Sequence, residues 1–306
     1  MPTESNINPI RYLVHIALFS VSLIYAVTFS LVKDIMPFYI QGFGFIVIRV
    51  GGAMLLFLAC SSFYKKEKVD WKQHGPRFIL CSFLGVTANM LMFFKGLEIT
   101  TPINGAVLML ATPVFVFILN IVINKQQLIL AQMLGIIVAC LGCAILMAGR
   151  NLTFSSQTLP GDIFIILNAI SYAAFLVSAR KLLQHYHSLT VSKYTFIFGF
   201  IMVIPFGWKE LTEARFHLMD TKIVVEILFI IIFTTFLTYL LNAWAIVKAG
   251  PTLVGAYIYL QPILATIIAI LLKKDELSMH KILAIMLIFA GVFITSTKSR
   301  WYKLKA

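Results

Sequence analysis

Apolar stretches of about 20 residues recur from one end of this chain to the other, and that single feature limits what it can fold into. Twenty residues of helix span about 30 Å, the thickness of a bilayer's hydrocarbon core. A water-soluble fold built from such runs would leave whole apolar helices against solvent. Composition points the same way: the 306 residues are 60% hydrophobic and only 12% charged, with a mean hydropathy of +0.93. That leaves too little polar surface to cover a soluble core.

Ten spans are predicted, at 13–32, 40–62, 78–97, 103–123, 128–148, 162–179, 190–208, 223–247, 252–272 and 282–297. Turn and charge signals punctuate them, among them Met36-Pro37, Tyr64-Lys65-Lys66-Glu67-Lys68, Thr101-Pro102, Leu159-Pro160-Gly161 and Gly250-Pro251. The first run follows Arg11 and is too long for the apolar core of a signal peptide, so it reads as an uncleaved helix.

The formal charge of +13 does not describe a nucleic-acid surface. Its Lys and Arg sit in short segments between apolar runs, where they fix topology. With both termini on one face, that face holds 15 basic residues and the opposite face 9, while Arg49 lies inside a span. The excess predicts both termini in the cytoplasm, and a multi-pass protein of a bacterial inner membrane is the expected setting. No partner is implied beyond the lipid bilayer and a small molecule, nucleic acid is not expected, and the oligomeric state is not legible.

The chain also aligns with itself. At a shift of 149 residues Pro102 meets Pro251, Pro113 meets Pro262, Lys125 meets Lys274, Leu128 meets Leu277 and Gly142 meets Gly291. Nearer the start of each half the shift is 147, where Tyr25-Ala26 meets Tyr172-Ala173 and Lys33 meets Arg180. Five spans per copy is an odd number, so the second copy enters the membrane from the opposite side. The expected fold is all-α, with ten transmembrane helices as two inverted five-helix repeats about a pseudo-two-fold axis in the membrane plane. The expected organisation is a cytoplasmic segment 1–12, a first repeat 13–149, a connection 150–160, a second repeat 161–298 and a basic tail 299–306.

Several of these residues carry a resemblance. They are Ile24-Tyr25-Ala26 through Lys33, Arg49, Gly96-Leu97 before Thr100-Thr101-Pro102, and Thr112-Pro113. Ala249-Gly250-Pro251, Gln261-Pro262 and Asp275-Glu276-Leu277 mirror them. In this ordered, duplicated pattern the chain resembles the EamA-type members of the drug/metabolite transporter superfamily, over about residues 17–295. The resemblance implies movement of small metabolites such as amino acids, with export the expected direction. One departure stands out: an acidic residue common in the family after the fourth span is replaced here by Lys125-Gln126-Gln127, while Asp275 and Glu276 remain in the second copy.

Arg49 lies near mid-span, where an arginine costs about 2.5–3.5 kcal/mol on insertion scales. Two readings fit it, a ligand for a substrate carboxylate and a structural arginine bonded to backbone carbonyls. The other candidate binding residues are Tyr25, Asn89, Asn168, Tyr172, Tyr239, Asn242, Trp244, Tyr257 and Gln261, whose amides, phenols and rings suit small polar solutes. For each asparagine taken singly, a helix–helix hydrogen bond is the plainer role. Lys95 and Glu98, three apart, share a face and are expected to pair. Pro113 and Pro262 should kink their helices and free carbonyls, and Gly135, Ala139 and Gly142, with Ala284 and Gly291, form a stripe for close packing.

Other chemistries find no support. Cys60, Cys81, Cys140 and Cys143 lie in apolar stretches, and the lone C-x-x-C suits neither zinc nor a thioredoxin-like site. There is no P-loop, H-E-x-x-H or G-x-S-x-G, so no enzyme, metal or cofactor is expected. The acidic residues Asp34, Glu98, Asp162 and Glu226 fall at span ends, which favours facilitated movement over proton coupling. A channel-like passive pore is the alternative within transport, and a membrane-embedded enzyme or a receptor the alternatives outside it.

Overall fold

A computed structural model describes residues 9–64, 67–147, 155–271 and 279–297. Outside the described residues lie Lys65, Lys66, Arg150, Lys273, Lys274, the basic tail and the Asp275-Glu276-Leu277 motif.

Nine helices among the described residues are long and apolar enough to span a bilayer, and a shorter apolar one completes the expected ten. They are α1 (Ile10–Ile35), α2 (Gly42–Ser62), α3 (Trp71–Ile99), α4 (Asn104–Asn124), α5 (Leu130–Leu146), α6 (Leu159–Leu183), α7 (Ser188–Thr212), α8 (Thr221–Ala249), α9 (Pro251–Ile268) and α10 (Met279–Ser296). Most run a few residues beyond the apolar cores from which they were predicted. Polar caps account for part of the difference: Asp70 accepts from the Gln73 amide at the start of α3, and Asp220 from the Ile223 amide at the start of α8.

Packing follows the pseudo-two-fold. α2 meets its own copy α7, and α5 meets its own copy α10. The contacts of α6 with α3 and α4 are mirrored by those of α1 with α8 and α9. The small-residue stripe works as expected: a methyl on Gly135 would stand 2.6 Å from the Gly291 carbonyl oxygen, and one on Gly142 2.9 Å from that of Ala284. Backbones therefore touch along the α5–α10 seam, which membrane helices achieve only through small residues.

Local irregularities are mirrored too. α3 carries a π-helical stretch at Phe83–Thr87, and α8 carries one at Ile230–Leu237. A shift of 147 lays the start of the first upon the start of the second. The helix of α4, with the turn just before it, divides into Pro102–Met109 and Thr112–Asn124, and that of α9, with the residues just after it, into Pro251–Ala256 and Leu260–Leu271, the latter pair separated by a 3₁₀ turn at Tyr257–Tyr259. Each break lies just before Pro113 or Pro262, where proline removes a backbone donor and crowds the preceding turn. Lys95 and Glu98 pair at 2.9 Å on the surface.

Candidate functional site

Where α1, α2, α6 and α8 converge, the helices leave a polar cluster in an otherwise apolar interior. α8 supplies most of it. Its π stretch displaces carbonyls from the regular ladder, and threonine hydroxyls occupy the gaps. Thr235 donates to the Ile230 carbonyl at 2.9 Å, and Thr238 to that of Thr234 at 2.5 Å. Thr28 of α1 hydrogen-bonds with Thr234 at 2.7 Å.

Arg49 enters this cluster from α2. It is half-buried, and its Nε donates to Thr235 Oγ1 at 3.2 Å. Tyr25 and Tyr239 are the charge-sensitive groups beside it. The Tyr25 hydroxyl hydrogen-bonds with Thr238 at 3.4 Å and with Tyr172, and Asn242 Nδ2 donates to the Tyr172 hydroxyl at 3.3 Å. Tyr239 donates at 2.6 Å to the carbonyl of Gly85, inside the π stretch of α3. Among the described residues Arg49 forms no ion pair.

Five of the ten sequence-read candidates thus meet: Tyr25, Arg49, Tyr172, Tyr239 and Asn242. The other five lie elsewhere. Asn168 donates to the Asn89 carbonyl at 2.5 Å, holding α6 to α3. The Tyr257 hydroxyl pairs with His15 Nδ1 at 2.5 Å, and Ser22 donates to the Tyr257 carbonyl at 2.9 Å, both between α1 and α9. Trp244 packs against the apolar core, and Gln261 is half-buried at the break of α9.

A small enclosed cavity of about 10 Å³, room for about one water molecule, adjoins the cluster, with Tyr172, Tyr239 and Asn242 on one wall, Ser192 and Thr195 of α7 on another, and apolar side chains such as Phe175 and Ile246 between them. The Thr195 hydroxyl is buried there without a hydrogen-bond partner. Buried hydroxyls are almost always satisfied, so an orphan in the wall of a cavity this size marks a place for a water. Chemically the arrangement offers one fixed cation, three phenols, an amide and several hydroxyls, a set able to orient a small anionic or zwitterionic solute against aromatic faces.

Sequence reading missed the threonines. Thr234, Thr235 and Thr238 were visible as a Thr-Thr-x-x-Thr pattern, whose first and last members share a helical face. The Gly85 carbonyl had no such signal, because only the π stretch frees it.

The cluster is not equally screened from both sides. On the face that carries the N-terminus, α4 and α9 close together: Asn120 Nδ2 donates to Thr252 Oγ1 at 3.0 Å, and Gly255 packs on Val116. Their other halves, Pro102–Met109 and Leu260–Leu271, make no comparable contact among the described residues. The structure is therefore sealed on the terminus-bearing face at this crossing. On the opposite face Lys222 pairs with Asp34 at 2.6 Å, and Glu210 caps the start of α2 through the Phe43 and Gly44 amides at 2.7 and 3.0 Å.

Comparison with known proteins matches this architecture. The model of the EamA-like transporter family matches residues 13–148 and again residues 159–297. An uncharacterized transporter of Archaeoglobus fulgidus is 26% identical over 231 residues, covering 74% of this chain and 79% of its own length. The uncharacterized transporter YetK of Bacillus subtilis is 24% identical, covering 88% and 81%. The protein WALLS ARE THIN 1 of Arabidopsis thaliana is 23% identical, covering 97% and 86%. A solved crystal structure superposes with a TM-score of 0.80 at 13% identity, over 94% of this chain and 98% of the other, a likeness of fold. Duplicated motifs, mirrored packing and a twice-matched family model converge: the chain belongs to the EamA-like transporter family of the drug/metabolite transporter superfamily, membrane transporters rather than enzymes.

Proposed function

We propose that this protein exports small organic metabolites, amino acids among them, across a bacterial inner membrane by alternating access, with both termini in the cytoplasm. The observation that supports this best is Arg49: a half-buried cation near mid-span that meets a hydroxyl and phenols and forms no ion pair among the described residues. A membrane arginine without a protein carboxylate is suited to a solute that brings its own. Tyr25, Tyr172, Tyr239 and Asn242 stand beside it, and the cavity of about 10 Å³ at the Thr195 hydroxyl widens to admit the solute as the halves move between end states. The two inverted repeats supply two end states of similar energy, and the α4–α9 seal corresponds to the one closed at the terminus-bearing face.

Counterflow in proteoliposomes tests this reading. Vesicles preloaded with unlabelled amino acids, sugars, nucleosides or polyamines are presented with the labelled solute, with and without a pH gradient. Saturable exchange of a carboxylate-bearing class, lost in Arg49→Ala and indifferent to the gradient, is the expected result. Unsaturable flux would favour a passive pore, and unchanged exchange in Arg49→Ala would return that residue to a structural role.

A further inference from the structure

A second polar site lies away from the Arg49 cluster, at the ends of α4 and α6 on the terminus-bearing face. There a pocket of about 290 Å³ is lined by Lys125, Arg180, Lys181 and Gln184, with Ile123 and Asn124 completing the wall. Three of the six are cationic and none is acidic. Cations at helix C-termini offset the helix dipole, which explains one or two of them and not a cavity. The pocket is also organised. Arg180 Nη1 donates to Gln126 Oε1 at 3.3 Å, and that oxygen accepts from Asn120 Nδ2 at 2.7 Å. Lys125 is the one non-glycine residue at positive φ among the described residues, at +48°, so the turn holding it is a specific backbone arrangement.

The internal repeat shows what is unusual here. At the shift of 149, Lys125-Gln126-Gln127 corresponds to Lys274-Asp275-Glu276, and at 147 Arg180 corresponds to Lys33. The first copy therefore offers Arg180 a neutral amide at the position where the second copy carries a carboxylate. The lining thus carries three cations, and the repeat motif beside it adds no carboxylate.

We propose that this pocket binds a phosphate group, and that its source is the phosphodiester of an anionic phospholipid. Arginine and lysine together favour phosphate by fork and point-charge contacts. The pocket stands at span ends, the depth of lipid headgroups, where basic pockets between helices take such groups. Soluble phosphate shares the chemistry and differs in source.

The full chain is reconstituted in nanodiscs of phosphatidylcholine with phosphatidylglycerol, then examined by native mass spectrometry for retained lipid. A parallel arm follows the thermal shift caused by inorganic phosphate against chloride at matched ionic strength. Wild type retains phosphatidylglycerol over phosphatidylcholine. Gln126→Asp, which installs the carboxylate of the other copy, weakens that retention roughly fivefold, the effect of about one surface charge. Lys181→Gln reads the same loss should Gln126→Asp fail to fold, and Lys181→Arg retains binding. A phosphate-dependent shift without lipid preference, lost in Gln126→Asp, keeps the anion site but overturns the lipid source. Equal retention of both lipids with no phosphate shift, or binding unaffected by Gln126→Asp and Lys181→Gln alike, overturns the site.

Discussion

Arg49 Nε donates to Thr235 Oγ1 at 3.2 Å while the same hydroxyl donates to the Ile230 carbonyl at 2.9 Å. One threonine thereby ties the mid-membrane cation to the π stretch of α8. Thr235→Val keeps the shape and removes both bonds. A hydrogen bond to a charged group contributes about 1.5–3 kcal/mol, so exchange by Thr235→Val should fall roughly tenfold or more. Proteoliposome counterflow measures it, with elution profile as the folding control. Wild-type rates would detach the bond from the transport site.

The α4–α9 seal predicts a population shift. Asn120 donates to Thr252 across the seal, and within its own half it donates to Gln126 and accepts from Asn124, so Asn120→Ala removes the one bond that crosses and the two that hold its donor in place. The crossing bond is worth about 1 kcal/mol, so its loss favours opening of that face by roughly fivefold. A cysteine at Ala256, buried to 1% exposure, in an otherwise cysteine-free chain should then react faster with a thiol reagent. Unchanged labelling would mean that the seal rests on apolar packing such as Gly255 against Val116.

Along the α5–α10 seam there is no room for a methyl group. A Cβ on Gly291 would lie 2.5 Å from both the Ala139 amide nitrogen and the Gly135 carbonyl oxygen. Backbone must move to admit it, and overpacking of this kind costs about 1–3 kcal/mol. Gly291→Ala should lower the apparent Tm in detergent, whereas Gly75→Ala, with only Trp71 nearby at 3.8 Å, should leave it unchanged.

At the start of α6, Asp162 is buried and accepts from Thr100 Oγ1 at 2.5 Å and Asn104 Nδ2 at 3.4 Å. Asp162→Ala strands those donors, a loss of about 1–3 kcal/mol for each buried group left unpaired. Thermal unfolding should show it. Glu98→Gln, which breaks the exposed pair with Lys95, is the contrasting change and should shift stability by less than about 1 kcal/mol.

Most of the fold was legible because bilayer thickness and helix rise leave a 20-residue apolar run little freedom, and because the prolines, glycines and Lys125 repeat in register. Thr112-Pro113 marked where α4 would bend, although the full interruption at Leu110 and Ala111 went beyond the kink expected. The site was legible in part. Arg49, Tyr25, Tyr172, Tyr239 and Asn242 stood out as polar residues in apolar surroundings, but so did Asn89, Asn168 and Tyr257, which lie apart from the cluster, Asn168 and Tyr257 bonding other helix pairs. Residue type does not reveal which way a helix is turned, so one list held both groups. The π stretches of α3 and α8 lay beyond reach for a different reason. They add a residue to a turn without any composition of their own, and they decide where Gly85 and Thr235 point.

Each helix of the α2–α7 and α5–α10 pairs meets its own copy, which is how subunits of a two-fold homodimer meet. In a true homodimer every substitution is made twice, once on each side of the interface. Here the two protomers are one chain, so a change is made once and appears on one face of the membrane alone. Gln126 opposite Asp275 is such a change. Fusion has freed the two faces of a symmetric machine to carry different charges while the seams between the halves stay matched.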